Sequence, residues 1–441
     1  MIISKLLLMY FRFLPLFLIF LLSVGCTSDK QTKLIQDENG YRLVVDGENF
    51  VINGMNWDYF PIGSNYDYSL WNESDEIIQK ALDYEMQLLQ KMGVNSIRVY
   101  TGIPPKWITY IYENYEIYTL LNHSFGRYGL SINDKWIAKI NYADPKTQEI
   151  LLDEVKEMAE TYKQTPGLLI YLLGNENNYG LFWHGAETED LPSQAELDTE
   201  IIENQARPMY RLMNKASNLI KSVDEQTLTS ICNGDLMYLD VIAEECTDID
   251  IFGINIYRGI SFDDTFERVK KEYGKPLIFT EFGADAYNAL LQQEDEVAQA
   301  YYFIHNWKEI YTNVYGLGKA ENMLGGYSFQ WSDGWWKHGQ TYNLDVQDTT
   351  ASWTNGGYYL DYKANQNNMN EEWFGIMTKQ PPNENNLFEL RPRLAYHKLK
   401  EMHQLNPFQE TIGVQQINQK AKTLLRDIEV EIEEINNQIK K

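Results

Sequence analysis

Two glutamates in this 441-residue chain close runs of apolar residues: Glu176 ends LLIYLLGNE, and Glu281 stands in PLIFTEFG. An ionisable side chain at the end of a buried strand is held by rigid backbone while opening onto solvent, which suits acid–base or nucleophilic chemistry. Two carboxyls held about 5 to 5.5 Å apart can divide that labour at an acetal carbon. One is protonated against the leaving oxygen and the other is ionised beneath the carbon. The dipeptide Asn-Glu carries little by itself, since it begins at residues 72, 175, 370 and 383, but only the pair at 175 ends an apolar run. Either glutamate alone reads equally well as the first exposed residue of a loop.

The elements that must position them repeat one theme, an apolar strand, a polar loop and a helix with a 3.6-residue apolar stripe. Eight strands are expected: Val51 to Trp57, Ser96 to Tyr100, Ile117 to His123, Leu168 to Glu176, Leu228 to Gly234, Ile249 to Tyr257, Pro276 to Phe282 and Gly325 to Asp333. Eight is the number that closes a (β/α)8 barrel. Alternating strands and helices also suit an open doubly wound sheet, yet no Gly-rich phosphate loop follows the first strand, so the α/β fold expected is the TIM barrel. Helix signals support it: Asp144 and Pro145 read as cap and first helical residue, and Gly93 as a stop after the stripe Ile77 to Met92. Long loops, residues 178 to 206 and 333 to 390, would follow the fourth and eighth strands on the face where barrel active sites are built. The second holds Trp335, Trp336, Trp353 and Trp373 and is expected to be ordered over the cleft.

At the N-terminus, Lys5 and Arg12 precede an apolar stretch and then Ser23, Val24, Gly25 and Cys26, an export signal over residues 1–25. The small residues before Cys26 resemble the bacterial lipoprotein box. That resemblance implies lipidation at Cys26 and an exported, lipid-anchored protein of the cell envelope, with plain cleavage or an uncleaved anchor as alternatives. Residues 26–40 read as a polar tether, and an N-terminal hairpin around Asp46-Gly47 opens a single catalytic domain over 41–407. The tail, 408–441, reads as one amphipathic helix through Ile417, Ala421, Leu424, Ile428, Ile432, Ile435 and Ile439, either docked on the barrel wall or mediating self-association. A net charge of −25 disfavours nucleic acid and anionic lipid surfaces as partners. No clustered His/Cys ligand set is present, so neither metal nor other cofactor is expected. Cys232 reads as a core thiol.

Jointly, GNE ending a fourth strand and TEFGAD ending a seventh resemble the clan of retaining (β/α)8 glycosidases, most closely the catalytic domain of glycoside hydrolase family 2, over roughly residues 43 to 400. The resemblance implies Glu176 as acid/base, Glu281 as nucleophile and Asn175 as the ligand of a sugar 2-hydroxyl. NGMNW brings Asn56 to the first strand, and GVNSIRVY brings Arg98 beside the nucleophile. GINIY places Tyr257 as a donor to that carboxylate, and FQWSD places Trp331 as an aromatic floor. His123 and Asn233, closing the third and fifth strands, fit either a sugar contact or loop hydrogen bonding. Trp183 either walls a subsite or packs its loop. The implied function is a retaining β-glycosidase acting on oligo- or polysaccharide. FPIGSNYDYSL followed by IRVYTG is also similar to β-1,3-glucanosyltransferases, which keeps a β-glucan transglycosylase as an alternative; a glycan-binding lipoprotein without catalysis is the third.

Overall fold

A computed structural model describes residues 32–182 and 198–439. Cys26 and Trp183 lie outside the described residues, as does the export signal.

Eight parallel strands close into a barrel. They are β1 (Ile52–Asn56), β2 (Ser96–Tyr100), β3 (Tyr118–His123), β4 (Leu168–Leu173), β5 (Leu228–Gly234), β6 (Ile251–Asn255), β7 (Leu277–Phe282) and β8 (Met323–Ser328). Each neighbours the next, and β8 returns to pair with β1. A helix follows every strand: α1 (Asp75–Met92), α2 (Pro105–Tyr115), α3 (Pro145–Tyr162), α4 (Arg207–Val223), α5 (Leu239–Glu245), α6 (Thr265–Glu272), α7 (Glu296–Tyr311) and α8 (Leu394–Met402). The expected strands are therefore all present. The first, fourth, sixth and eighth stop short of their expected ends, so Glu176 stands in the turn after β4 whereas Glu281 is still within β7.

The helix signals act as read. Asp144 accepts hydrogen bonds from the amides of Lys146 and Thr147, capping α3, and Gly93 ends α1 at φ 91°, a conformation that favours glycine.

One expectation is corrected. The supposed tether is strand from Thr32, because Thr32–Asp37 pairs antiparallel with Gly40–Val45, which pairs in turn with Glu48–Phe50. This three-stranded meander stops the N-terminal end of the barrel, packing Leu43 and Val45 against Ile52, Ile251, Ile278 and Leu324. Thr32–Asp37 is an edge strand with no fully buried residue, so it lacks the apolar alternation that marks a strand in sequence.

The tail forms α9 (Val414–Ile439), which buries Ile417, Ala421, Leu424, Leu425 and Ile428 against α7 and α8. Of the two readings of the tail, docking is the one the described residues display. No described helix is long and apolar enough to cross a membrane. The long loop after β8 is ordered, as expected, and includes paired strands Met377–Lys379 and Leu390–Pro392. Its start is fixed to α8 by Arg393, whose guanidinium grips Asp333 with two hydrogen bonds of 2.6 and 2.8 Å and reaches Glu294 at 2.7 Å. The Arg393–Asp333 pair lies in the interior, Arg393 being 1% exposed and Asp333 0%, whereas Glu294 is exposed.

Candidate active site

Going up the barrel interior, the apolar layer above the meander gives way to polar side chains at the strand ends. Successive side chains on a strand point to opposite faces, so only alternate residues reach this layer. It is centred on Arg98 of β2, a guanidinium just 2% exposed. Its Nη1 donates to Glu281 Oε1 at 2.6 Å, and its Nη2 donates to Asn175 Oδ1 at 2.7 Å and Asn122 Oδ1 at 2.6 Å. Asn56 accepts from Nη1 at 3.3 Å and donates to the Thr280 carbonyl at 3.0 Å, linking β1 to β7.

Glu281 is gripped from both sides. Besides Arg98, the Tyr257 hydroxyl donates to Oε2 at 3.0 Å. Donors to both oxygens fix the aim of the side chain.

Glu176 meets the opposite environment. Burial and the nearby Glu281 carboxylate push its carboxyl up to about 7, opposed by a hydrogen bond from Asn255 Nδ2 to Oε1 at 3.1 Å and by the Arg127 charge. Its backbone lies in the left-handed region at φ 55°, an uncommon conformation for a residue other than glycine and one that clusters at functional sites. The turn is braced locally: Glu176 N–H donates to the Cys232 carbonyl, and Asn177 Oδ1 accepts from the Asn175 amide at 2.7 Å.

Asn175, Glu176, Arg98, Tyr257, Glu281 and Asn56 thus form one hydrogen-bonded constellation. Of the remaining candidates, His123 and Asn233 take the second of their two readings, loop hydrogen bonding, and Trp331 departs from its expected place. His123 turns outward: its Nδ1 accepts from the Phe125 amide and its Nε2 lies 3.5 Å from Glu154 on α3, with burial lowering its pKa to about 4. Asn233 also faces outward, accepting from Tyr210 on α4 at 2.6 Å and donating to the Asp235 and Met237 carbonyls. Both make local hydrogen bonds in place of sugar contacts. Trp331 is fully buried and its indole donates to Glu85 Oε2 on α1 at 3.0 Å, so it presents no face to a ligand. The aromatic beside the site is Phe329, half-buried, with its ring centre 6.3 Å from that of Tyr257.

Residues missed in sequence are the strand neighbours of those chosen. Asn122, adjacent to His123, points inward to Arg98 and also donates to the Gly174 carbonyl at 2.7 Å. Asn255 lies two positions before Tyr257 on the same face and accepts from Thr280 at 2.8 Å. Cys232, adjacent to Asn233, lies among Asn255, Thr280 and Arg98, and burial raises its thiol to about 11, which keeps it inert.

A closed (β/α)8 barrel with carboxyl groups collected at the C-terminal strand ends defines the architecture of the barrel glycoside hydrolases. The chain belongs to glycosyl hydrolases family 2, whose TIM barrel domain matches residues 43–399. Among solved structures it is similar to the β-galacturonidase of Eisenbergiella tayi bound to galacturonate, at 16% identity and TM-score 0.51, covering 86% of this chain and 55% of that one. It is also similar to Bacteroides uniformis β-glucuronidase, at 13% identity and TM-score 0.54, covering 84% of this chain and 37% of that one. The likeness at these identities is one of fold, and the chain spans about half or less of the length of those proteins. No curated protein sequence matches it.

Proposed function

We propose that this chain is a retaining β-glycosidase in which Glu281 is the nucleophile and Glu176 the general acid/base. The observation that carries the reading is the contrast between the two carboxyls. Glu281 is held by the donors Arg98 and Tyr257, whereas Glu176 is pushed up to about 7. A carboxyl that keeps its proton to near neutral pH, beside a second carboxyl aimed by fixed donors, is how one site can supply both an acid and a nucleophile.

In the first step, Glu176 gives its proton to the departing glycosidic oxygen as Glu281 Oε attacks the anomeric carbon, forming a glycosyl ester. In the second, Glu176, now ionised, takes a proton from water, which attacks the same carbon and releases Glu281. Asn175, braced by Arg98 on its oxygen, offers its amide to the sugar 2-hydroxyl, and Phe329 supplies the aromatic surface first assigned to Trp331. Treating the protein with a 2-fluoro glycoside bearing a good leaving group, then mapping the labelled peptide, tests this directly. The label belongs on Glu281, and labelling elsewhere refutes the assignment.

The substrate is a β-linked glycan. Transfer to a second sugar, as in β-glucan transglycosylation, uses the same two glutamates. The segment similar to the glucanosyltransferases places Tyr66 against Trp336, ring centres 5.9 Å apart, with Tyr66 exposed, a surface on which an acceptor ring could stack. Products longer than the substrate would identify transfer. The lipoprotein box supports lipidation at Cys26 and residence in the cell envelope, and Cys26→Ala is expected to release the protein from membranes. Membrane fractionation of that variant at the wild-type size would refute the anchor.

A further inference from the structure

On its β2–β3 side the mouth of the barrel carries a row of exposed aromatic rings that begins at the constellation. Tyr100 lies two positions past Arg98 on β2, hence on the same face of the strand, with its ring centre 5.7 Å from the Arg98 guanidinium carbon and 44% of its surface exposed. Tyr128, in the loop after β3, is 36% exposed, and its hydroxyl accepts from Asn175 Nδ2 at 2.9 Å. The row ends at Trp136, which at 63% is the most exposed large apolar side chain among the described residues.

Trp136 is held in that position. It belongs to a hairpin in the loop after β3, in which Leu130–Ile132 pairs antiparallel with Lys135–Ile137. Asn133 and Asp134 turn the chain at φ 50° and 59°, the left-handed pair of a two-residue hairpin turn. Buried Leu130 and Ile140 close over Gly126 and root the hairpin in the core. Gly129 then lies against the indole: at φ 108°, a Cβ added there would stand 2.7 Å from Cζ2 and 2.8 Å from Cε2 of Trp136. Only glycine allows both that backbone and that approach. The indole is thus fixed on the residue next to Tyr128, while most of its surface faces water.

An indole left in water forgoes the burial that ordinarily places it in a core. The exposed hairpin residues Ser131, Asn133, Asp134 and Lys135 are polar, and Ile137 is the other exposed large apolar side chain of the hairpin. The apolar area is therefore about that of one or two rings, well short of the patch a protein partner covers. A pyranose fits it. The ring packs its face of C–H groups on an aromatic plane and keeps its hydroxyls in water at the edge.

We propose that Trp136 receives a sugar ring of the bound glycan beyond the one over Glu281, so that Tyr100, Tyr128 and Trp136 line a track for a glycan chain on the β2–β3 side of the mouth. The inference rests on the glycosidase reading of Asn175 and Glu281 given above. It makes chain length the property that this side of the mouth selects.

The test first finds which of 4-nitrophenyl β-D-glucoside, galactoside, glucuronide and galacturonide is cleaved fastest, and then measures kcat/KM on β-linked oligosaccharides of that sugar, two to six units long. Wild type, Trp136→Ala, Trp136→Tyr and Glu281→Ala are assayed, with melting curves to establish that each folds. Wild type is expected to gain in kcat/KM with length. Trp136→Ala should cut the ratio of kcat/KM for the six-unit glycan over the aryl glycoside by about 5- to 30-fold, the scale of one ring stacked on an aromatic face. The loss should fall mainly on KM, and Trp136→Tyr should restore part of it. A ratio unchanged in Trp136→Ala, or a wild type indifferent to length, would overturn the inference while leaving the glycosidase reading intact. Absence of any Glu281-dependent hydrolysis would overturn both.

Discussion

The amide of Asn255 donates to Glu176 Oε1 at 3.1 Å, while its own oxygen accepts from Thr280 at 2.8 Å, immediately before Glu281 in β7. One strand residue therefore ties the carboxyl with the raised pKa to the strand that carries the other. Because this hydrogen bond favours the ionised form of Glu176, it opposes burial and the Glu281 charge.

The pH dependence follows with a definite sign. In its proposed role as acid Glu176 must be protonated, so kcat/KM should be sustained below about pH 7 and fall about tenfold per pH unit above it. Asn255→Ala removes a contact that lowers the pKa, so its alkaline limb should move upward. A limb unmoved in that variant would separate Glu176 from the observed ionisation. The same carboxyl binds its proton more tightly when folded than when unfolded, so its contribution to stability is present below pH 4.5 and is lost as pH rises to about 7.

The two glutamates should fail differently when replaced. With Glu281 in the proposed role of nucleophile, Glu281→Ala should lose at least ~10⁴-fold with any leaving group. Glu176→Ala should matter most for natural glycans and much less for an aryl glycoside whose leaving group departs unprotonated. Azide should then speed its turnover and yield a glycosyl azide of retained configuration. An azide product of inverted configuration from Glu176→Ala would mean that the roles are exchanged.

Arg98 donates to the side chains of Glu281, Asn175, Asn122 and Asn56 in the interior, and Arg98→Met leaves Glu281 buried without its cation. Breaking a buried pair in this way costs about 3–5 kcal/mol, so chemical denaturation should show a loss of that order, together with activity. Unchanged stability would mean that water replaces the guanidinium freely.

Trp331→Ala should act through packing. A fully buried indole cut to a methyl group costs about 3–5 kcal/mol, and Glu85 loses one of the two indole donors it shares between Trp57 and Trp331. Trp331→Phe should keep kcat/KM within a few-fold. A tenfold loss in that variant at unchanged stability would return this ring to the substrate site.

Truncation near residue 410 should lower the melting temperature, since α9 covers apolar surface of α7 with Ile417, Leu424 and Ile428. Its specific activity, measured below the transition, should persist because no described residue of α9 joins the constellation. Inactivity in a truncated but folded protein would implicate the tail in the cleft.

The barrel was legible because buried strands and striped helices announce themselves by period, and because Glu176 and Glu281 each close an apolar run. Side-chain direction was harder to read. His123 and Asn233 were left between sugar contact and loop hydrogen bonding, and the inward-facing residues are their neighbours Asn122 and Cys232, because one residue along a strand reverses the face. Trp331 failed for a related reason: β8 ends at Ser328, so alternation no longer governs which later ring faces the cleft. Asn255 carried a usable signal, a polar residue in an apolar strand two positions from Tyr257. The edge strand Thr32–Asp37 carried none, since pairing alone holds it and its side chains bury little.

The grip of Arg393 on Asp333 and Glu294 has a bearing on how substrate enters. Swinging the tryptophan-bearing loop away from α8 would strand a guanidinium and a carboxylate in the interior, and uncompensated buried charge is among the costlier defects a fold can carry. The start of the loop is thus locked before any ligand arrives. The barrel mouth is preorganised on its β8 side, with Phe329 already in place, so a ligand bound there would have little ordering entropy left to supply.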